Sequence, residues 1–363
     1  MGFILKWDIT YKCNLHCAHC INGNFLGKTE NELSLEEVKN IIRKLKIAGA
    51  DRVHLLGGEP LARSDIMDIF DCFEEEGLNF GFNTNGLKLT DTKMREAIMQ
   101  LENLRNIVVS LEGPTAEIND KIRGKKVFEI TRKNLFELVN FKKVHNLKNL
   151  TLSVNTVVSQ FNIEYIIDMI TWCQKMGVDE IGLLQFLAEG NGAKIDGTIT
   201  PEQEVDLVKK IAGMYEDMKG KIKIVPKFTY PLARKYAKEV LHLDFPEYGH
   251  YCGAGESFFY MNNSGELYPC DRYMCRMTEL CSREKLVLSN ENTDFWDIVS
   301  QPGFEEVFEK SEGKDAYRKC EPCNQCEYLR KNCYPCPVYA ARQKIQVQAC
   351  RKMMEEIKSV QSK

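Results

Sequence analysis

The chain has 363 residues, which is enough for one large domain with a well-formed core and a smaller second one. Its 49 basic and 52 acidic residues nearly cancel, so composition gives no electrostatic reason to expect a nucleic acid or a membrane surface as a partner. No uninterrupted apolar run is long enough to span a membrane, and Lys6 and Asp8 interrupt the apolar start where a signal peptide would be continuous. We therefore expect a cytoplasmic protein.

Strand-like apolar runs alternate with amphipathic helix-like runs over the first half of the chain, and six such pairs can be counted. In the first helix, Ser34 and Glu37 match a capping box and Gly49 marks the end. The six predicted strands are Phe3 to Thr10, Arg52 to Leu56, Asn79 to Asn83, Asn106 to Leu111, Leu150 to Val158 and Glu180 to Leu187. The predicted fold class is α/β, with a partial (β/α)6 TIM-like barrel followed by a small cysteine-rich domain.

Composition also suggests where this domain organisation changes. We assign residues 1–220 to the barrel and residues 221–250, which contain Pro226 and Pro231, to a bridge. Residues 251–363 form the cysteine-rich domain.

The chain contains fifteen cysteines, and a reducing cytoplasm makes metal or redox chemistry a better explanation for them than disulfides. Three fall within the first twenty residues and ten lie between Cys252 and Cys350. Cys72 and Cys173 are isolated, and we expect both to be structural.

Cys13, Cys17 and Cys20 follow the first predicted strand with the spacing C-x3-C-x2-C. Three soft ligands without a fourth favour an iron–sulfur cluster with one open iron. Zinc is the alternative, but structural zinc takes four ligands, and the nearest fourth candidates, His16 and His19, lie inside the same tight loop.

Glycine and polar residues concentrate at the C-terminal ends of the predicted strands, where parallel β/α barrels bind ligands. Such residues also form ordinary turns, which is the competing explanation at each position. The candidates at these ends are Gly57, Gly58, Glu59, Asn83, Ser110, Glu112, Asn155 and Gln185.

The cysteine triplet and the segment Gly57-Gly58-Glu59-Pro60 resemble two hallmarks of the radical S-adenosylmethionine (SAM) superfamily. The resemblance implies a 4Fe-4S cluster whose open iron chelates SAM, and cleavage of SAM to methionine and a 5'-deoxyadenosyl radical. It also implies that Gly57, Gly58 and Glu59 hold the amino group of SAM. His19 stands where the family usually has an aromatic residue.

The resemblance extends to Ser110-Leu111-Glu112-Gly113 and to Arg123-Gly124. It implies Ser110 and Arg123 as candidates for the SAM carboxylate. Asn83, Asn155 and Gln185 would be further SAM contacts. Relatives commonly have Asp where this chain has Glu112, so the longer side chain would place a catalytic carboxylate differently.

The C-terminal cysteines resemble the SPASM extension of radical SAM enzymes. Cys252, Gly265 and Cys270 match its first half, whereas the spacing from Cys323 to Cys336 is shifted by one residue. The resemblance implies two auxiliary 4Fe-4S clusters, the inner one held by Cys252, Cys270 and Cys336 and the outer one by Cys323, Cys326, Cys333 and Cys350, with Cys275, Cys281 or Cys320 as an optional fourth inner ligand. A pair of zinc-ribbon-like sites is the alternative.

Resemblance to SPASM enzymes implies hydrogen abstraction from a peptide or protein side chain, as in ribosomal-peptide maturation, with an auxiliary cluster accepting an electron. The alternatives are an anaerobic sulfatase maturase and an enzyme acting on a small molecule such as an amino acid. The implied partners are a peptide or protein substrate and an electron donor such as flavodoxin or ferredoxin. Only twelve residues precede Cys13, so we expect a separate leader-recognition protein, a direct leader contact or a substrate without a leader.

Overall fold

The computed structural model of the chain describes residues 2–227, 231–247, 253–272, 287–289, 293–300, 321–329, 333, 336 and 344–362. The strands are β1 Phe3–Thr10, β2 Ala50–Gly57, β3 Phe80–Thr84, β4 Leu104–Ser110, β5 Thr151–Val158, β6 Glu180–Gln185, β7 Lys223–Pro226, β8 Phe258–Met261 and β9 Leu267–Tyr268. The helices are α1 Leu35–Ala48, α2 Ile66–Glu75, α3 Thr92–Met99, α4 Ala116–Arg123, α5 Val127–Val144, α6 Ile166–Met176, α7 Pro201–Met218, α8 Leu232–Tyr236, α9 Phe295–Val299 and α10 Lys344–Gln361.

The nine strands form one sheet in the order β7-β6-β5-β4-β3-β2-β1-β8-β9. All neighbours are parallel except β8 and β9, which pair antiparallel. Each of the first six strands is followed by helical residues that lead to the next strand, as βα units require. The α/β fold class and the six predicted strands are confirmed, with ends that differ by a few residues.

The capping residues predicted from the sequence define both ends of the α1 helix. The Glu37 backbone N–H donates to Ser34 Oγ, and the Ser34 N–H donates to the Glu37 carboxylate at 2.8 Å. Gly49 closes the helix with a φ of 89°, in the left-handed region that glycine adopts without strain. The capping box and its end point are therefore confirmed.

The two faces of the sheet differ in chemistry. Phe80 and Phe82 of β3 stack against Phe70 of α2, with ring centroids 5.1 and 5.3 Å away, which places them on the outer, helix-covered face. Because side chains alternate along a strand, the Asn83 side chain and the open side of Gly81 lie on the opposite face, which we call the inner face. This inner face also carries polar side chains from β1, β2, β4 and β5.

Two strands beyond residue 220 belong to the same sheet as the six predicted ones. β7, within the predicted bridge, pairs with β6, and β8, within the predicted cysteine-rich domain, pairs in parallel with β1. The chain after β6 thus covers both edges of the barrel sheet.

Candidate functional site

The cysteine loop follows β1 and is held from two sides by backbone hydrogen bonds. The Ala18 N–H donates to the Ile122 carbonyl at the end of α4, at 2.8 Å. On the other side, Asn191 donates its side-chain amide to the Cys17 carbonyl at 3.1 Å and its backbone N–H to the Cys20 carbonyl at 2.9 Å. These contacts fix the loop at the C-terminal edge of the sheet, where the sequence predicts it.

The thiols of Cys13, Cys17 and Cys20 interact electrostatically with one another, and Cys17 is buried while the other two are half-buried. Burial raises the pKa of all three, and that of Cys20 reaches about 12 because Cys17 and Cys13 add to the effect. A thiolate is the form that binds metal, so a bound cation is needed to deprotonate these thiols. Among the described residues, no group of three or more His, Cys, Asp or Glu side chains is arranged to hold a single metal ion.

Gly57 and Gly58 bring the end of β2 against the backbone that leads into the cysteine loop. A Cβ on Gly57 would lie 2.1 Å from the Thr10 carbonyl oxygen, and one on Gly58 would lie 2.1 Å from the Lys12 carbonyl oxygen. The Gly58 N–H donates to the Thr10 carbonyl and the Glu59 N–H to the Lys12 carbonyl, both at 2.8 Å. Only glycine permits this approach, because any side chain would displace the loop.

Glu59, predicted to meet the SAM ammonium, is 1% exposed. Its carboxylate accepts hydrogen bonds from the Thr84 hydroxyl at 2.8 Å and from the backbone N–H groups of Asn85 and Leu61 at 2.7 and 3.2 Å. Glu59 therefore joins the ends of β2 and β3, and most of its acceptor capacity is used within the protein.

Glu112 lies two residues after the end of β4 and is also 1% exposed. Its Oε1 lies 2.9 Å from Arg123 Nη1 and 3.1 Å from His19 Nε2, and its Oε2 accepts from the Val157 N–H at 2.8 Å. Burial alone would raise the pKa of Glu112, but these donors outweigh burial and lower it, so the carboxylate is charged at neutral pH. Glu112 thus binds the cysteine loop, α4 and β5 together.

Two buried nitrogen atoms beside the cysteine loop have no hydrogen-bond partner among the described residues, namely Arg123 Nε and His19 Nδ1. A buried polar atom without a partner is costly, so a bound group or a water molecule that reached either nitrogen would be favourable. The thiol set, the glycine cradle and the unpaired Arg123 Nε together fit an iron–sulfur cluster with an anionic ligand.

Residues 7–180 match the sequence model of the radical SAM superfamily. Residues 7–180 therefore form a radical SAM domain. The recognition made from the cysteine triplet is confirmed, and the protein is a radical SAM enzyme. SAM and a 4Fe-4S cluster are the cofactors of the superfamily.

Named relatives extend the similarity beyond the matched region. The PqqA peptide cyclase of Bradyrhizobium diazoefficiens is 25% identical over 332 residues, which are 88% of this chain and 77% of the relative. The AdoMet-dependent heme synthase of Methanosarcina barkeri is 25% identical over 275 residues, 74% of this chain and 76% of the relative. The crystal structure of Streptococcus suis SuiB bound to precursor peptide SuiA matches with a TM-score of 0.72 at 18% identity, covering 96% of this chain and 74% of SuiB.

The other predicted SAM contacts of this radical SAM enzyme lie along the inner face of the sheet and at the C-terminal ends of its strands. Asn83 Oδ1 is 2.7 Å from His54 Nε2, and Ser110 is the register partner of Asn155 on the neighbouring strand. Gln185 ends β6 and is half-buried. Their contacts to SAM stay predictions.

Asp8 is a buried inner-face residue that we did not predict as part of the site. Its carboxylate accepts from the Tyr260 hydroxyl at 2.5 Å and from the Asn22 amide at 3.2 Å. Burial raises the pKa of Asp8 to about 7, although both hydrogen bonds oppose the shift. The available signal was an acidic residue inside an otherwise apolar strand, which we treated only as an interruption of a signal peptide.

Four C-terminal cysteines line one cavity at the base of α10. They are Cys323, Cys326, Cys333 and Cys350, the set predicted for the outer auxiliary cluster. Burial raises the pKa of Cys333 to about 12, with Cys326 and Cys323 contributing, so these thiols are mutual neighbours.

The predicted inner cluster is less completely described. Cys270 is buried and Cys336 half-buried, but neither lines the cavity of the outer four. Cys252, Cys275, Cys281 and Cys320 lie outside the described residues. Cys72 of α2 and Cys173 of α6 are both buried, as expected for structural thiols.

No helix among the described residues is long and apolar enough to cross a membrane.

Proposed function

We propose that this radical SAM enzyme abstracts a hydrogen atom from a side chain of a peptide or protein and so catalyses its oxidation, crosslinking or other modification. The observation that carries the proposal is the 25% identity to a peptide cyclase over 88% of the chain, which reaches past the barrel into the cysteine-rich region. Ribosomal-peptide maturation is the form of this activity that we propose.

Cys13, Cys17 and Cys20 would hold the cluster, and Gly57 and Gly58 would receive SAM at the cradle beside it. With both cofactors bound, reductive cleavage of SAM supplies the 5'-deoxyadenosyl radical. Arg123 would pair with the SAM carboxylate through its unpartnered Nε, while Glu112 holds the guanidinium from the other side. A buried Arg with two carboxylate partners is well suited to this role.

Glu112 itself has a positioning role in this proposal rather than a catalytic one. Its carboxylate is charged and bound to His19, Arg123 and the Val157 N–H, so it is not free to take a proton from substrate. The proton acceptor of the reaction lies elsewhere.

Two auxiliary 4Fe-4S clusters complete the proposed cofactor set. The shared cavity of Cys323, Cys326, Cys333 and Cys350 supports the outer one, and Cys252, Cys270 and Cys336 would hold the inner one, with Cys275 or Cys320 as a fourth ligand. Their role would be to accept an electron from the oxidised substrate and pass it outward.

The proposal includes a reducing, cytoplasmic compartment and an external electron donor such as flavodoxin or ferredoxin. A separate leader-recognition protein is the proposed partner for substrate delivery.

The test is anaerobic conversion of SAM to 5'-deoxyadenosine by reconstituted, dithionite-reduced protein. Cys17→Ala should abolish the conversion, whereas Cys173→Ala, which changes a buried and isolated thiol, should retain it. Equal turnover in wild type and Cys17→Ala would refute the assignment of the cluster.

A small-molecule substrate is the second candidate, and the similarity to an AdoMet-dependent heme synthase favours it. A short reading frame encoded beside the gene, whose peptide product accelerates SAM cleavage, would favour the peptide substrate. Acceleration by a free amino acid or a tetrapyrrole, and not by that peptide, would favour the small molecule. Sulfatase maturation is tested in the same assay with a sulfatase-derived Cys or Ser peptide.

A further inference from the structure

Four basic side chains converge on the inner face of the barrel. Lys6 of β1 and His54 of β2 are register partners, and Arg52 lies two residues before His54 on the same face. Lys227 follows β7, and its Nζ lies 3.7 Å from the place that a Cβ on Gly182 of β6 would occupy. The positive charges of Lys6, Arg52 and Lys227 all lower the pKa of the His54 ring, so all three lie within electrostatic range of it.

His54 is held as a neutral group at this point. Its Nε2 lies 2.7 Å from Asn83 Oδ1, and a Cβ on Gly81 would come within 3.1 Å of its Nδ1, so glycine leaves room for the ring. Burial lowers the pKa of His54 to about 4, and the three cations contribute. At neutral pH, His54 offers hydrogen bonding without adding charge.

Within the described part of the chain, Glu180 acts electrostatically on Lys227 and Asp8 interacts with Lys6, but neither carboxylate is close enough to form an ion pair with these cations. None of Lys6, Arg52 and Lys227 forms an ion pair there, and Arg52 Nε is buried without a hydrogen-bond partner. Lys6 Nζ lies over the Phe258 ring, 5.0 Å from its centroid, which marks the apolar side of the same space. The three side chains are half-buried, and unpaired cations that are partly removed from water are costly, so an anion bound among them would lower that cost.

The nearest carboxylates of the inner face are engaged elsewhere. Asp8 accepts hydrogen bonds from Tyr260 and Asn22, and Glu180 pairs with Lys223 at 2.8 Å. The space between Lys6, Arg52 and Lys227 therefore carries net positive charge.

We propose that Lys6, Arg52 and Lys227 form a carboxylate-binding site inside the barrel, which receives either the C-terminal carboxylate of a peptide substrate or an Asp or Glu side chain of it. The inference rests on the proposed peptide substrate, since a carboxylate is the anion that an unmodified peptide carries. The site selects substrates by charge, and the apolar Phe258 ring lies beside it.

Three synthetic probes test the site: N-acetyl-tetraalanine as the free acid, the same peptide as its C-terminal amide, and the amide with one Ala replaced by Asp. Dissociation constants are measured by saturation-transfer NMR on the full, reconstituted chain with SAM present, at constant ionic strength. We expect the amide to bind at least about tenfold more weakly than a carboxylate probe, as loss of a charge-assisted hydrogen bond predicts. Tight binding of the free acid alone identifies the C-terminus as the source, and tight binding of the Asp amide identifies a side chain.

Variants separate the site from general charge effects. Arg52→Met and Lys227→Met should each lose the preference for the carboxylate probe, while their unliganded melting temperatures stay equal or rise because repulsion is relieved. Lys223→Met is the matched control, since Lys223 is 72% exposed, lies at the same edge of the sheet and is already paired with Glu180. If a Met variant fails to fold, Lys→Gln and Arg→Gln replace it.

Equal binding of all three probes to the wild type would overturn the proposal, as would a preference that survives the triple change of Lys6, Arg52 and Lys227 to Met. Failure of the site and failure of the proposed function give different results. If the protein prefers carboxylate probes but does not cleave SAM, the proposed function is refuted and the carboxylate site is supported. If it cleaves SAM but binds all three probes equally, the carboxylate site is refuted and the radical SAM function is supported.

Discussion

At the scale of single residues, the two positions that depart from the family pattern contact each other. His19 replaces the usual aromatic residue, Glu112 replaces the usual Asp, and the two side chains lie 3.1 Å apart. The longer carboxylate reaches the cysteine loop while it still holds Arg123. The resemblance to the family's motifs identified both departures, but only the fold shows that the two side chains contact each other.

Glu112→Ala should lower the free energy of unfolding by about 3 kcal/mol, because it leaves the Arg123 guanidinium buried without its partner. The double change Glu112→Leu with Arg123→Met should cost less than the single change, since no buried charge remains. Urea unfolding of both variants measures the difference. Glu129→Ala, which breaks the exposed pair with Arg132, is the control and should change little. A double variant less stable than Glu112→Ala would contradict the argument.

Asp8 should make stability depend on pH. Its folded pKa is raised to about 7, so the native state binds a proton that the unfolded chain releases near pH 4. The contribution of Asp8 protonation to the free energy of unfolding is therefore full at acid pH, declines as the pH rises from about 4 to 7, and stays low above that range. Asp8→Asn removes this decline. The free energy of unfolding of the variant should therefore rise relative to that of the wild type towards pH 8, by up to about 4 kcal/mol at 1.4 kcal/mol per pKa unit.

Urea midpoints of wild type and Asp8→Asn at pH 5 and pH 8 provide the measurement for Asp8. The Asn side-chain oxygen keeps the acceptor for the Tyr260 hydroxyl, so packing is retained. A stability difference that is the same at both pH values would show that Asp8 is ionised normally in the folded protein.

At the scale of elements, local sequence was sufficient for β1 to β6 and for the cap of α1, because hydrophobic period and capping residues are local signals. It was insufficient for β7 and β8. β7 is only four residues long and ends in Pro226, and β8 is defined by its pairing with β1, some 250 positions earlier in the chain. Pairing between strands so far apart in the sequence depends on the tertiary structure and leaves no local sequence pattern.

The cradle between β2 and the cysteine loop should be intolerant of a single methyl group. In Gly58→Ala the new Cβ would meet the Lys12 carbonyl oxygen at 2.1 Å and the Cys13 Cβ at 3.1 Å, so the loop must move. We expect iron bound after anaerobic reconstitution to fall by at least about half, together with 5'-deoxyadenosine formation, as sub-ångström placement of ligands requires.

Gly213→Ala is the matched control for the cradle. Gly213 lies in α7 with nothing within 4 Å of the added methyl, so it should keep full iron and gain about 0.5–1 kcal/mol of stability. Wild-type iron content in Gly58→Ala would show that the loop is not constrained by β2.

At the scale of the whole molecule, α10 brings the end of the chain back to the barrel. Tyr236 OH donates to Glu356 at 2.6 Å, and Lys352 pairs with Glu202 of α7 at 2.8 Å. The same helix places Cys350 beside the cavity formed with Cys323, Cys326 and Cys333. The resemblance to SPASM enzymes implied this set of four, which line one cavity, but it could not indicate which helix of the barrel they face.

Iron content should therefore divide into separable parts. A chain with three four-iron clusters binds about twelve iron atoms, and Cys350→Ala should remove about four of them while SAM cleavage at the first cluster persists. Cys17→Ala should also remove about four but abolish cleavage, and Cys173→Ala should remove none. Iron, acid-labile sulfide and zinc are counted in the same samples.

Hydrogen exchange provides the second measurement on Cys350→Ala. Cys350 is buried where α10 meets the cavity, so loss of a cluster there should speed hydrogen exchange in α10. Exchange in α1 should stay unchanged, because α1 connects β1 and β2, which lie several strands away from β7 in the sheet. Zinc in place of the lost iron would make the C-terminal site structural and remove its electron-accepting role. An unchanged iron count with unchanged exchange would mean that the four thiols, although neighbours, hold no metal.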